Sequence, residues 1–277
     1  MPFNKITLIF ALVAVLFGKV KKNATPDKSR VYFQSSVPNG TVLTINVNDV
    51  DGEISDFPVR SAQISDFVKF YTTASVTDAN FIVSPKVDDE QFYNQRVAKD
   101  LKQEEISCNA VWEAYDRQSY GLYGFAALAL ENSDIAPSIT ALIKNGPTLV
   151  KYTNIPAGEE GKYEDIPINH DCNGIGYIFT TYGLRGSGVV GTDCIPNTGV
   201  PQSATTCVDS KIELTQNLKG YFEAHIFKAD TETLKDALIR FGPVAITNEE
   251  EPQIKGVLLG WKTDSEQNYW IIAEYFD

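Results

Sequence analysis

The stretch Asp116-Arg117-Gln118-Ser119-Tyr120-Gly121-Leu122-Tyr123-Gly124-Phe125 runs directly into Ala126-Ala127-Leu128-Ala129-Leu130. Nearly every residue from 125 to 130 is apolar or small. A segment with no polar stripe at the helical period predicts a helix buried on all sides rather than an amphipathic one. Downstream, Asp171-Cys172-Asn173-Gly174 precedes a second expected helix over 174–182. A third is predicted after Asp230 or Thr231, either of which can cap it. Leu234, Leu238 and Phe241 recur at i, i+4 and i+7, and Gly242-Pro243 stops the pattern. A strand over 244–246 follows. Residues 257–261 and 269–276 read as two further strands, joined by a polar turn over 263–268.

The order and wording of these segments resemble the papain-like cysteine peptidases, closest to the cathepsin B-like branch. That family carries Q-G-x-C-G-x-C-W-A-F, then C-N-G-G, G-P-V, H-A-x-x-x-x-G-W and Y-W-x-x-x-N-S-W. Here the corresponding residues are 116–125, Cys172-Asn173-Gly174, Gly242-Pro243-Val244, Gly260-Trp261 and Tyr269-Trp270 through Glu274. The resemblance covers residues 105–277. It implies an α+β papain-like fold with a helical subdomain and a reduced, C-terminally short β-barrel subdomain. Residues 19–104 then hold the place of the family's prosegment, behind a signal peptide at 1–18.

The residues that should do the chemistry are replaced. The nucleophile position reads Tyr123, the histidine position Ile254 with Lys255 beside it, and the asparagine position Glu274. The oxyanion position reads Arg117, with Gln118 one residue late, and the Trp and Ala after the nucleophile shrink to Gly124. Peptidase chemistry of this kind needs a thiolate, an imidazole to carry the proton and donors for the oxyanion. A phenol with an ordinary pKa of about 10 is a weak nucleophile. Ile254 carries no proton, and Lys255 is a poor base unless burial depresses it. The family's nucleophile sits at a helix N-terminus, which favours a thiolate but gives a phenol little. These remnant positions predict no catalytic residue.

The N-terminus supports a secreted reading. Lys5 precedes residues 6–17, apolar except for Thr7, and Lys19, Lys21 and Lys22 follow. This is shorter than the roughly 20 apolar residues that span a bilayer, and it suits a signal-peptide core. Asn23-Ala24-Thr25 and Asn39-Gly40-Thr41 are glycosylation sequons. Four cysteines suit an oxidising compartment and permit three pairings. Cys194 and Cys207 enclose a short turn-rich loop and are the easiest pair to close. In the family, the Cys of C-N-G-G pairs with a Cys whose position here is Tyr120. Cys172 is therefore left either to a new bond with Cys108 or to a free buried thiol.

Residues 23–60 alternate polar and apolar, with a turn signal at Asp51-Gly52, and predict a β-hairpin. A calcium loop there would put Val47 first and Pro58 twelfth, neither a carboxylate ligand. Residues 64–71 and 88–95 are compatible with helices. The glycine-rich 183–191 lacks the Lys-Ser/Thr of a phosphate loop and reads as a flexible surface loop. His170, two residues before Cys172, and His225, in a strand-like stretch, read as structural. With no C-x-x-C spacing, no metal or other cofactor is expected.

A net charge of -12 argues against nucleic-acid binding. The expected product is a non-catalytic relative in an extracellular, secretory or lysosome-like vacuolar space, free of the membrane once the signal is removed. It would bind protein or peptide in the remnant cleft or serve as a structural component. The alternatives are an active cysteine-type endopeptidase and a prosegment-type inhibitor whose partners are active papain-like peptidases.

Overall fold

A computed structural model describes residues 29–34, 36–50, 59–88, 91–247, 255–263 and 268–274. Along the first part of the chain come β1 (Arg30–Gln34), β2 (Val42–Asn46), β3 (Val59–Gln63) and β4 (Asn80–Ile82). The helices α1 (Gln103–Ile106), α2 (Asn109–Asp116), α3 (Ser119–Glu131) and α4 (Ile139–Asn145) follow, then β5 (Leu149–Thr153) and β6 (Ile166–Pro167). The remainder is α5 (Thr180–Ser187), β7 (Ala224–His225), α6 (Thr231–Phe241), β8 (Val244–Thr247), β9 (Lys255–Thr263) and β10 (Asn268–Ala273). Among the described residues the result is a mixed α+β fold with three small sheets.

The apolar run becomes the buried helix expected from it. α3 places Tyr120, Tyr123, Phe125, Ala127 and Leu128 in the main core, together with Leu234 and Leu238 of α6 and Trp261 of β9. It starts earlier than the sequence suggests. Gln118 adopts a left-handed conformation (φ 66°) and breaks the chain between α2 and α3, so Tyr123 lies one turn inside the helix. In α6, Asp230 accepts from the Thr233 amide at 2.9 Å, as its capping position requires. The second expected helix is a 3-10 turn at Ile175–Phe179 continued by α5. The stretch 183–191 is therefore not a loop throughout, because residues 183–187 complete α5 and bury Leu184.

The N-terminal region diverges most from expectation. β1 pairs antiparallel with β3 and with β7, whereas β2 pairs in parallel with β5. β2 and β3, the strands on either side of the expected turn, pair with β5 and β1 rather than with each other, and Asp51-Gly52 itself lies outside the described residues. The alternation in β2 still has its physical cause: Leu43 and Ile45 are fully buried against Ile178, Phe179 and Tyr182. Their partner is over a hundred residues away, so local alternation could not name it. The expected helix over 64–71 is a single 3-10 turn at Ile64–Asp66. Beyond it the chain bonds outward instead of to itself: the Tyr71 amide donates to Ile239 O at 3.0 Å, and Phe67 packs edge-on against Phe241 at 5.2 Å. Of 88–95, Phe92–Asn94 forms one 3-10 turn, with Phe92 stacked on Phe125.

Each of the three sheets takes a strand from the region before residue 105: β1 and β3 in the first, β4 in the second, β2 in the third. The division at 104/105 therefore does not coincide with a break in the sheets. In the second sheet β9 is the centre. β10 runs along one edge, and β8 and β4 share the other end to end. A Cβ on Gly260 would meet Phe81 O at 2.2 Å, so glycine is what lets β4 approach. Trp261 next to it is fully buried, stacks on Phe81 at 4.8 Å and donates to Asp78 O at 2.9 Å.

Candidate functional site

Among the described residues, Tyr123, Lys255, Arg117 and Gln118, which the resemblance sets at catalytic positions, are each bonded to other groups. Tyr123 is buried inside the core, and its hydroxyl lies 2.9 Å from Thr180 Oγ1 and donates to the Glu223 carboxylate. Burial, reinforced by the Glu223 charge and hydrogen bond, pushes the phenol well above its ordinary value. A neutral, fully buried phenol that already donates its proton is neither nucleophile nor base. Lys255, at the start of β9, pairs with Asp116 at the end of α2. Glu274 is exposed just past β10. Ile254 lies outside the described residues.

The oxyanion positions are also otherwise engaged. Arg117 Nε donates to Glu113 Oε2 at 3.2 Å, and its guanidinium lies 5.2 Å from the centroid of the Tyr177 ring. Gln118 Nε2 donates to Asp116 O at 3.2 Å and more weakly to Tyr115 O, while its Oε1 is buried without a hydrogen-bond partner among the described residues. Gly124 has a packing reason: a Cβ there would lie 2.3 Å from Val97 Cγ2. Val97, from the N-terminal region, fills the space next to α3 that a larger residue after position 123 would need.

All four cysteines are bonded. Cys194 pairs with Cys207, as the short loop suggests, and Cys108 pairs with Cys172 rather than leaving a free thiol. The second bond ties the start of α2 to the Asp171-Cys172-Asn173-Gly174 loop, where the Ala110 amide also donates to Cys172 O at 2.8 Å. His170 has no thiol beside it to activate; its Nε2 lies 3.0 Å from Pro147 O. His225 sits in β7 opposite Tyr32, its ring stacked near Phe227. Asn39 is exposed in a tight turn closed by its own backbone bonds to Val42, whereas Asn23 and the segment 1–18 lie outside the described residues. Among the described residues, no helix is long and apolar enough to cross a membrane, and no three metal-ligating side chains converge.

Sequence reasoning passed over Glu223. Its amide donates to Thr181 Oγ1 of α5 at 3.2 Å and its carboxylate accepts from Tyr123 of α3. Burial raises its pKa to about 7, with the Tyr123 hydrogen bond pulling the other way. It lines a cavity of about 540 Å³ bounded by α3, α6 and the segment 218–226. The available signal was a lone carboxylate between Phe222 and Ala224, in a stretch too apolar for a solvated face.

No family model matches the chain, and neither a curated protein nor a solved structure matches it.

Proposed function

We propose that this chain is a non-catalytic homologue of the papain-like cysteine peptidases, cathepsin B-like in its motifs, that acts by binding protein or peptide in an extracellular or vacuolar space. The observation that carries the non-catalytic part is the absence of a usable thiol: the sequence has four cysteines, and all four are in disulfides. The buried Tyr123 at the nucleophile position supports the same reading. The apolar N-terminal segment and the two disulfides favour an oxidising, secretory environment. Strands from residues 30–82 are built into every sheet, which weighs against the N-terminal region working alone as an inhibitor.

The test is to incubate the disulfide-intact chain with an epoxide thiol probe and with broad peptide substrates at acidic and neutral pH. No labelling and no turnover are expected. Turnover that the epoxide blocks would overturn the reading. Titration into active papain-like peptidases separates the inhibitor alternative, which requires stoichiometric loss of their activity.

A further inference from the structure

The cavity beside Glu223 is mostly apolar, walled by Leu122 and Leu130 of α3, Leu184 of α5, Phe67 and Phe241. Its size lies within the range of about 300–1,000 Å³ typical of small-molecule sites. Eight large hydrophobic residues are strongly exposed among the described residues, and four of them, Val68, Phe70, Tyr221 and Phe222, border this one cavity. Scattered exposed apolar residues need no explanation, but a cluster around an opening marks a binding surface.

Glu223 supplies the polar feature. Among the described residues its carboxylate has the Tyr123 hydroxyl as its hydrogen-bond partner and no cation within ion-pair distance. The two cations that line the cavity are committed elsewhere. Lys219 Nζ donates to Gln216 Oε1 at 3.1 Å, and Arg240 binds Asp236 Oδ2 at 2.9 Å and the Phe67 carbonyl. A carboxylate partly withdrawn from water without a cation is destabilised, and a charged donor from outside would offset that cost.

We propose that this cavity binds a small amphiphile with an aromatic or aliphatic body and one protonated amine, the body filling the apolar volume and the ammonium pairing with Glu223. The proposal does not depend on the peptidase resemblance. The aromatic rim suits a cation passing over ring faces, and the chain's net charge of -12 favours a cationic ligand over an anionic one. Because Glu223 must be ionised to pair, amine binding strengthens as pH rises through about 7. The titratable and charged groups around it are Tyr123 from α3, Arg185 from α5, which lies over Phe222, Arg240 from α6, Lys219 and Tyr221 from the preceding segment, and His225 of β7, two residues on.

The experiment is calorimetric titration of the full disulfide-intact chain with 4-phenylbutylamine, 4-phenylbutanol and 4-phenylbutyrate at pH 5 and pH 8. At pH 8 the amine is expected to bind on the order of tenfold tighter than the alcohol, with the acid weakest. At pH 5 the amine loses that advantage. Glu223→Gln removes the preference at pH 8 while keeping the alcohol's affinity, and His225→Gln retains both the preference and its pH dependence. A second measurement uses the unaltered chain: in buffers of different ionisation enthalpy near pH 6.5, amine binding releases protons and alcohol binding does not. The proposal is overturned if none of the probes binds, if amine and alcohol bind alike at pH 8, if the acid is preferred, if amine binding releases no protons, or if the amine preference survives Glu223→Gln or is lost in a folded His225→Gln.

Discussion

The hydroxyl of Tyr123, one turn inside α3, donates to the carboxylate of Glu223, a hundred positions further along the chain and one residue before β7. This single bond ties the interior of α3 to the segment before β7, and it holds a carboxylate at the edge of an apolar cavity. Thr180 and Thr181 of α5 complete the arrangement from the other side.

Glu223 should make stability depend on pH. Its folded pKa of about 7 is raised above the ordinary 4.5, so between those values the folded state holds a proton that the unfolded state has released. Stability is therefore greatest at the acidic end of this window and falls as pH rises through about 7. Glu223→Gln removes the dependence. Relative to the variant, the parent chain should lose about 1–2 kcal/mol between pH 4.5 and 8, a figure discounted because the residue is only half-buried. Urea unfolding of both at the two pH values measures it; parallel pH profiles would contradict the placement of Glu223.

Tyr123→Phe keeps the ring and removes the hydroxyl that serves both Thr180 and Glu223. Leaving buried polar groups without a partner costs about 1–3 kcal/mol. The loss should be larger at pH 8 than at pH 5, because an ionised Glu223 needs the donor more. Denaturation midpoints at both pH values check this. Tyr123→Cys, with no imidazole supplied, should gain no peptide turnover.

How much of this was legible in the sequence varied with the range of the interaction. α6 was readable because its cap, its apolar period and its Gly-Pro stop all lie within fifteen residues. The β8–β9–β10 region was readable for the same reason, and β9 with β10 forms the expected antiparallel pair. The placement of β2 was not, since its parallel partner β5 is set by tertiary burial of Leu43 and Ile45 rather than by a turn. Residues 64–71 have helical composition, yet the Tyr71 amide is drawn to Ile239 O and the local ladder gives way. The motif positions drew attention to Tyr123. They gave no sign that Glu223 would come to Tyr123: the apolar neighbours Phe222 and Ala224 hint at a carboxylate withdrawn from water, but nothing local names its partner.

Gly124→Ala tests the contact between α3 and the N-terminal region. The added Cβ would sit 2.3 Å from Val97 Cγ2 and 2.6 Å from Val97 Cβ, and Val97 is itself fully buried, so the backbone around it must shift. Overpacking of this kind costs about 1–3 kcal/mol, more than the helix propensity gained by replacing glycine. Gly161→Ala, where a Cβ meets nothing within 4 Å, is the control and should change stability little. If Gly124→Ala is stabilising, Val97 does not pack against α3 as described.

The two disulfides should contribute unequally. Cys108–Cys172 closes a separation of 64 residues and Cys194–Cys207 one of 13. In the chain-entropy description, the longer loop restrains the unfolded state by about 4 kcal/mol and the shorter by about 3 kcal/mol. The longer bond also joins α2 to the Asp171-Cys172-Asn173-Gly174 loop, beside the Ala110 amide bond to Cys172 O, so its removal loosens a contact inside the main core. Cys194–Cys207 staples a smaller cluster around Val190 and Ile195. Cys108→Ser with Cys172→Ser should therefore lower the urea midpoint more than Cys194→Ser with Cys207→Ser. The second pair of changes should leave the Tyr123–Glu223 bond, and with it the pH dependence of stability, in place. Equal midpoints for the two double variants, or a larger loss from the short loop, would show that the Asp171-Cys172-Asn173-Gly174 loop is not fastened to α2 in the folded chain.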